Sequence, residues 1–491
     1  MRSSGILMHI SSLPSPGGIG SLGPEAYAFA DFLQASGMRI WQVLPIGPTG
    51  YGESPYQSSS VFAGNPLLIS CVLLRNEGLL TYDDREEYEP SDPEKVDYEA
   101  VRKNKDMLLR RCWKQSRSLL SGQINSFVRE NSWLNDFALF TALKQHFGGV
   151  MWSKWPDPDI RFRKQEAVRR YSVELAGEID YHIFCQYLFR RQWFSLKKYC
   201  NDRSISLFGD MPIYVAEDSA DTWTHPEIFQ LDRDLLPKRV AGVPPDYFSE
   251  DGQLWGNPLY RWTYLRFCRR FDWWVERMKG MAGLYDMIRI DHFIGFANYY
   301  SVKYGMPNAR KGKWVVGPGK SLFRRLEQEV PDIRIIAEDL GCVNNRVRRL
   351  LQWCGYPGMK VLTFGFDSDE SNPHFIGHYD KNTVAYTGTH DNDTTLGWAE
   401  KADPKALAFA ERTLGFSGAE EAPEAFIRAL FKCPCDTVII PMQDVLGLDG
   451  SCRMNYPGTI GGNWVWRMKP DQLSLELSMK YYRLNKETER Q

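Results

Sequence analysis

The stretch "YDMIRIDHFIGF", residues 285–296, sets Arg289, Asp291 and His292 inside a run that otherwise has the apolar content of a buried strand. Buried charge is costly unless it is paired, so three polar groups at this place demand a partner or a task. Working outward, similar short apolar runs bounded by turn residues recur along the chain. They are "GILMHI" (5–10), "RIWQVLPI" (39–46), "ISLFGDMPIYV" (205–215), "LYDMIRIDHF" (284–293), "IRIIAEDLG" (333–341), "GMKVLTFGF" (358–366), "NTVAYTGTHD" (382–391) and "DTVIIPMQDV" (436–445). Helical patterns separate several of them, such as "PEAYAFADFLQASG" after the first and "KSLFRRLEQEV" before the fifth. Apolar strands alternating with helices predict an α/β fold, a (β/α)8 TIM barrel whose strands are covered on both faces.

Two gaps exceed what one crossover helix needs. Residues 67–204 read as a mainly helical insertion after the second strand, and residues 216–283 as an insertion after the third, with "VAGVPPDYFSEDGQLWGNPLYRW" as a structured loop. Residues 1–491 then form one catalytic barrel. After the eighth run the remaining chain suffices for a loop and a terminal helix, so no C-terminal β-sandwich domain is expected.

Polar groups gather at the ends of these runs: Asp210 in "FGDMPIYV", Asp291 in "RIDHF", Glu338 in "IIAEDLG", and His390 with Asp391 in "TGTHDNDTT". Each alone has an ordinary explanation. Asp291 and Arg289 suit a strand-end ion pair, Glu338 or Asp339 a helix cap, and His390 a satisfied core histidine. Together, on strands whose C-terminal ends share one mouth in a barrel, they predict a convergent carboxylate cluster.

Composition narrows the chemistry. With 60 Lys plus Arg against 61 Asp plus Glu, no global field favours nucleic acid or an anionic membrane. No apolar run approaches the roughly 20 residues of a membrane helix, and no export signal is visible, so a cytoplasmic protein is expected. The ten cysteines are scattered, and the "KCPCD" pair, Cys433 and Cys435, lacks a second pair at metal-ligand spacing; reduced thiols and no metal follow. Neither GxxxxGK[ST] nor a GxGxxG after a strand is present, and "VVGPGKS" (315–321) reads as a surface turn, so no cofactor is expected. The supply of 16 Trp, 24 Tyr and 26 Phe suits a ligand with apolar CH faces and hydroxyl edges, as a sugar has. Carboxyls without a cofactor point to acetal chemistry, one as nucleophile and one, kept protonated, as acid.

The motifs "GILMHISSLPSPGGIGSLGPEAYAFADFL", "WQVLPIGPTGYGESPYQSSSVFAGNP", "GDMPIYVAEDSADTW", "DGQLWGNPLYRW", "RIDHF", "IIAEDLG", "YPGMKVLTFGF", "YTGTHDNDTTLGW" and "NYPGT…NW" closely resemble the 4-alpha-glucanotransferases called amylomaltases or disproportionating enzymes, a branch of the alpha-amylase superfamily. The resemblance runs from near residue 4 to about 467 and is weakest over 100–180. It implies a retaining transferase that moves a segment of a 1,4-alpha-glucan to the 4-hydroxyl of another glucan or of glucose. Maltooligosaccharides, glucose and alpha-1,4-glucans would be its substrates, with no cofactor and no metal. It further implies Asp291 as nucleophile, Glu338 as acid/base and Asp391 as the acid that holds sugar hydroxyls, with Arg289 keeping Asp291 ionised. Tyr56, Asp210 and His390 would bind the sugar being cleaved, Gln253 and Trp255 would belong to a loop at 247–256 covering the glucan, and Asn463 would contact substrate.

The sequence departs from the resemblance after the nucleophile, where Ile294 stands in place of the usual Arg and "ANYYSVKYG" replaces a Trp-containing continuation. These changes concern contacts around the nucleophile and leave the acids in place. Two rivals remain at this level: an alpha-glucan hydrolase using the same acids, and a silent glucan-binding barrel.

Overall fold

The structure is a computed structural model that describes residues 2–84, 88–245, 250–341 and 343–490. In chain order its strands are β1 (Ser3–Leu7), β2 (Ile40–Gln42), β3 (Ser206–Pro212), β4 (Arg239–Val243), β5 (Gln253–Pro258), β6 (Met287–Asp291), β7 (Asn298–Lys303), β8 (Gly312–Val316), β9 (Arg334–Ala337), β10 (Gly358–Val361), β11 (Thr383–Tyr386) and β12 (Thr437–Pro441). Eight of them form one parallel sheet in the order β10-β11-β12-β1-β2-β3-β6-β9. Every member lies in one of the eight runs read from the sequence, and most are almost wholly buried because helices cover the outer face and side chains fill the interior, with β10 the least buried.

The sheet closes between its two ends, β9 and β10. There the Ala337 N–H donates to the Pro357 carbonyl at 2.9 Å, and the Met359 N–H donates to the carboxylate of Asp339 at 2.7 Å. Gly358 is required at this seam, since a Cβ on it would lie 2.6 Å from the Asp339 carboxylate. Elsewhere the ladder is regular. Asp210 of β3 sits directly across from Arg289 of β6, so their side chains emerge on one face of the barrel wall.

Between β2 and β3 the described chain is helical, and its last helix, Ala176–Asp202, is the crossover that a parallel pair requires. This helix buries Phe184, Leu188, Trp193 and Leu196 against the barrel. Its Gln186 and Gln192 each exchange two hydrogen bonds with backbone, at Gly64 and Ser70, and so fasten the loop that follows β2. A satellite core of Phe137, Phe140, Trp152, Trp155 and Trp223 holds the other helices of this region together.

One element differs from the sequence reading. The segment "VAGVPPDYFSEDGQLWGNPLYRW", read as a loop within the 216–283 insertion, carries most of β4 and all of β5, which join β7 and β8 in an antiparallel sheet of order β5-β4-β7-β8. "ANYYSVKYG" is therefore strand β7, and "VVGPGKS" begins inside β8 before turning at Gly317–Gly319 into the helix Lys320–Glu329. Gly242 and Gly256, with a register shift between Val240 and Gly242, break the alternation that would have announced these strands.

Candidate active site

All the singled-out polar groups but Asn463 meet at the C-terminal mouth. Asp291 is the last residue of β6, Glu338 directly follows β9, His390 and Asp391 follow β11, and Tyr56 lies in the loop after β2. They line an open cleft of about 480 Å³, together with Gln253 and Trp255 of the small sheet. That volume is in the range of small-molecule sites.

Arg289 organises the floor. Its Nη1 donates to both carboxylate oxygens of Asp210, at 2.8 and 2.7 Å, and lies 3.0 Å from Asp291 Oδ1. The Asp210 side chain is fully buried and that of Arg289 nearly so, and mutual pairing offsets the cost of burying both charges. The Tyr56 hydroxyl donates to Asp210 Oδ2 at 2.7 Å, while its ring stacks on His390 at 5.1 Å and Trp464 leans on both rings. His390 Nε2 stands 3.4 Å from Asp391 Oδ1, which also accepts from Asn455 Nδ2 at 2.6 Å. Behind this loop Asp444, beyond β12, accepts from Thr387 and from the Thr395 N–H and hydroxyl, tying the segment that carries His390 and Asp391 to the next strand.

Glu338 is held from two sides by backbone. Its Oε2 accepts from the His292 N–H and its Oε1 from the Leu340 N–H, both at 2.7 Å. His292 adopts φ +51°, a left-handed conformation that a side chain other than glycine takes at a cost, and this turn aims its N–H at the carboxyl. The His292 ring meets Trp255 edge-on at 4.8 Å, and Trp255 Nε1 donates to Gln253 Oε1 at 3.1 Å.

The electrostatics follow from this crowding. Burial pushes the Asp291 carboxyl up, to about 8; Arg289 opposes the shift, and the charges of Asp210 and Glu338 add to it. Arg289 thus promotes the ionisation of Asp291 but does not outweigh burial. Burial also raises Glu338, against Arg289 and its two N–H donors. It lowers His390, and it holds His292 down at about 4, so His292 is neutral at ordinary pH.

Two buried carboxyls, both raised by burial, beside a fixed guanidinium and within an aromatic cleft form a site for exchange at an acetal carbon. Comparison with known proteins agrees. The family model for 4-alpha-glucanotransferases matches residues 8–474. The chain is 44% identical over 488 residues to the 4-alpha-glucanotransferase of Clostridium butyricum, covering 98% of this chain and 99% of that one. It is 44% identical to that of Thermus thermophilus, covering 100% and 99%. The chain belongs to the 4-alpha-glucanotransferase family.

The transferase also superposes on the amylomaltase of Streptococcus agalactiae, solved in complex with acarbose, with a TM-score of 0.97 at 42% identity and full coverage of both chains. An amylomaltase from Corynebacterium glutamicum, 20% identical and with 75% of its chain covered, shares the fold at a TM-score of 0.78.

Within this transferase Asn463 sits apart from the other singled-out residues. Its side chain accepts from the Tyr456 N–H at 3.0 Å and donates to Thr459, closing its own loop, and it is not among the residues that line the cleft. The asparagine that reaches the acids is Asn455, in the same "NYPGT" motif. Sequence reasoning noticed His292 without giving it a place in the site, and passed over Trp464 and Tyr214; all three line the cleft. Their motifs were visible, but which side chain faces inward depends on the loop path. Of the expected covering loop at 247–256, residues 247–249 lie outside the described residues, while Gln253 and Trp255 reach the cleft from β5. Ile294, the departure from the family pattern, is buried and forms part of the cleft wall.

Proposed function

We propose that this 4-alpha-glucanotransferase works by double displacement on maltooligosaccharides and longer alpha-1,4-glucans, with Asp291 as nucleophile and Glu338 as acid/base. The observation that carries this reading is Arg289, paired with buried Asp210 on one side and 3.0 Å from Asp291 on the other. Its charge draws Asp291 toward the anion against the effect of burial, and Glu338, also raised by burial, holds the proton to be donated. Asp291 attacks the anomeric carbon, the bond from that carbon to the glycosidic oxygen breaks, and Glu338 gives its proton to the departing 4-oxygen. A covalent glucosyl ester with inverted configuration remains. Glu338, now a carboxylate, takes the proton of an incoming 4-hydroxyl as that oxygen displaces Asp291, and the second inversion restores the alpha linkage.

The other residues serve position. Asp391, steadied by Asn455 and His390, faces the cleft as an acceptor for two hydroxyls of the sugar being cleaved. Tyr56, Asp210 and His390 form the floor beneath that sugar, and Trp255 with Gln253 covers it. No described helix is long and apolar enough to cross a membrane.

Incubation of the pure protein with maltotriose, with products separated over time, tests the reading. Glucose plus a ladder of longer maltooligosaccharides at constant total reducing ends is expected, and Asp291→Asn should produce neither. Rising reducing ends without longer products would mean a hydrolase instead. Binding of glucan without any product would mean a silent barrel.

A further inference from the structure

The small antiparallel sheet presents one large aromatic ring that the cleavage chemistry does not use. Trp314 of β8 lines the cleft, yet is 43% exposed. A tryptophan left in water at the mouth of a sugar-sized cleft is unusual, because its burial elsewhere would stabilise the fold.

The ring is braced. It packs edge-on at 5.3 Å against Tyr300, its cross-strand partner on β7. Tyr300 is itself buried, and its hydroxyl donates to the Ala309 carbonyl at 3.0 Å and accepts from the Gly312 N–H at 2.9 Å. Gly312 admits the Tyr300 ring, since a Cβ there would come within 2.2 Å of it. A fixed ring loses little freedom when a ligand stacks on it.

Topology says which end of the cleft it serves. Strands β7 and β8 are inserted between β6, which ends at Asp291, and β9, which leads to Glu338. The start of β7 is tied to the segment after Glu338 by Asn298, whose Nδ2 donates to Asn344 Oδ1 at 3.3 Å. Tyr56, His390, Asp391 and Trp464, the groups around the sugar being cleaved, come from the loops after β2, β11 and β12 instead. In the small sheet β8 is the edge strand furthest from β5, which carries Trp255. Trp314 therefore stands at the open rim on the side of Glu338, where a leaving glucan departs and an acceptor arrives.

We propose that Trp314 is an acceptor-side stacking platform that takes a glucose unit beyond the one next to the broken bond, and that it biases this enzyme toward glucan acceptors over water. The proposal rests on the assignment of Glu338 as acid/base. CH groups of the pyranose face would lie on the indole while the acceptor's terminal 4-hydroxyl reaches Glu338.

The test uses a maltoheptaose donor blocked at its non-reducing 4-hydroxyl, so that it cannot serve as acceptor, with glucose, maltotriose or maltopentaose supplied as acceptor. In Trp314→Ala the KM for maltotriose and maltopentaose should rise about five- to tenfold, with the KM for glucose unchanged and donor cleavage at saturating acceptor unchanged. At limiting maltotriose the share of donor lost to water should rise by a similar factor. Trp314→Phe should recover most of the affinity, whereas Trp314→Leu, which fills the space without a ring and guards against a folding defect in the alanine variant, should not. Equal changes for glucose and the longer acceptors, no change for any, or recovery by leucine as complete as by phenylalanine would overturn the proposal. Failure of the underlying assignment has a separate signature, in which Glu338→Gln keeps full donor cleavage whatever Trp314 does.

Discussion

The cleft has two walls of different make. One is the end of the parallel barrel, where the Asp210 and Arg289 side chains are 0% and 6% exposed and every acid is held by a strand or a hydrogen bond. The other is the small antiparallel sheet, which lends Gln253, Trp255 and Trp314 to the cleft and leaves Trp314 43% exposed. Groups that make and break bonds need fixed geometry and low polarisability around them, which the barrel supplies. Groups that choose among glucans need surface, and an antiparallel sheet can leave one face wet. Chemistry and selection are thereby assigned to separate pieces of backbone.

If that division holds, changes on the barrel wall should abolish turnover whatever the acceptor. Asp291→Asn and Glu338→Gln should each lower kcat by roughly 10⁴-fold for transfer and for hydrolysis alike, read from product formation with the blocked donor. A variant that lost only transfer would break the comparison. Next in size, Arg289→Met leaves Asp210 buried and uncompensated and should cost about 3–5 kcal/mol of stability by denaturant unfolding. Adding Asp210→Asn should restore a large part of it, since the orphaned charge is then gone. Asn455→Ala removes a donor to the Asp391 carboxylate and should reduce kcat/KM by about 10–100-fold, with little change in unfolding midpoint.

The smallest effect concerns pH. Burial raises the Asp291 carboxyl in the folded chain, to about 8 against an ordinary value of 3.8, so the ionised form that attacks is the one that folding disfavours. The native state therefore binds more protons across this window, and stability from this residue falls as pH rises through it. Asp291→Asn removes that penalty and should raise the unfolding midpoint at pH 8 by the equivalent of about 1–2 kcal/mol, and by much less at pH 4. A midpoint that rose equally at both pH values would show that the wall is not strained by its charges.

The two walls were also unequally legible in the sequence. Strands of the barrel are buried on both faces and appear as apolar runs such as "TVIIP", so their positions and the acids at their ends could be read directly. The small sheet carries mixed exposure and glycines at 242 and 256, and its pieces are separated in the chain by β6 of the barrel. Pairing between β4 and β7 joins residues some sixty positions apart, a relation that no local window contains. Asn455 and Asn463 make the same point at the level of one loop. Both lie in a recognisable motif, but the turns at Gly458, Gly461 and Gly462, all at positive φ, decide which of them meets Asp391.

The seam of the barrel has a further consequence. Seven neighbouring strand pairs are joined by backbone ladders, while β9 and β10 meet through one amide–carbonyl bond and one side chain, that of Asp339. The stave with the loosest neighbour is thus the one that delivers Glu338, a single residue before Asp339. Such a joint lets the carboxyl at 338 be repositioned by small changes at 339, without re-registering the rest of the cylinder. In evolutionary terms it is a place where the balance of bond cleavage and bond transfer can drift while the scaffold stays still.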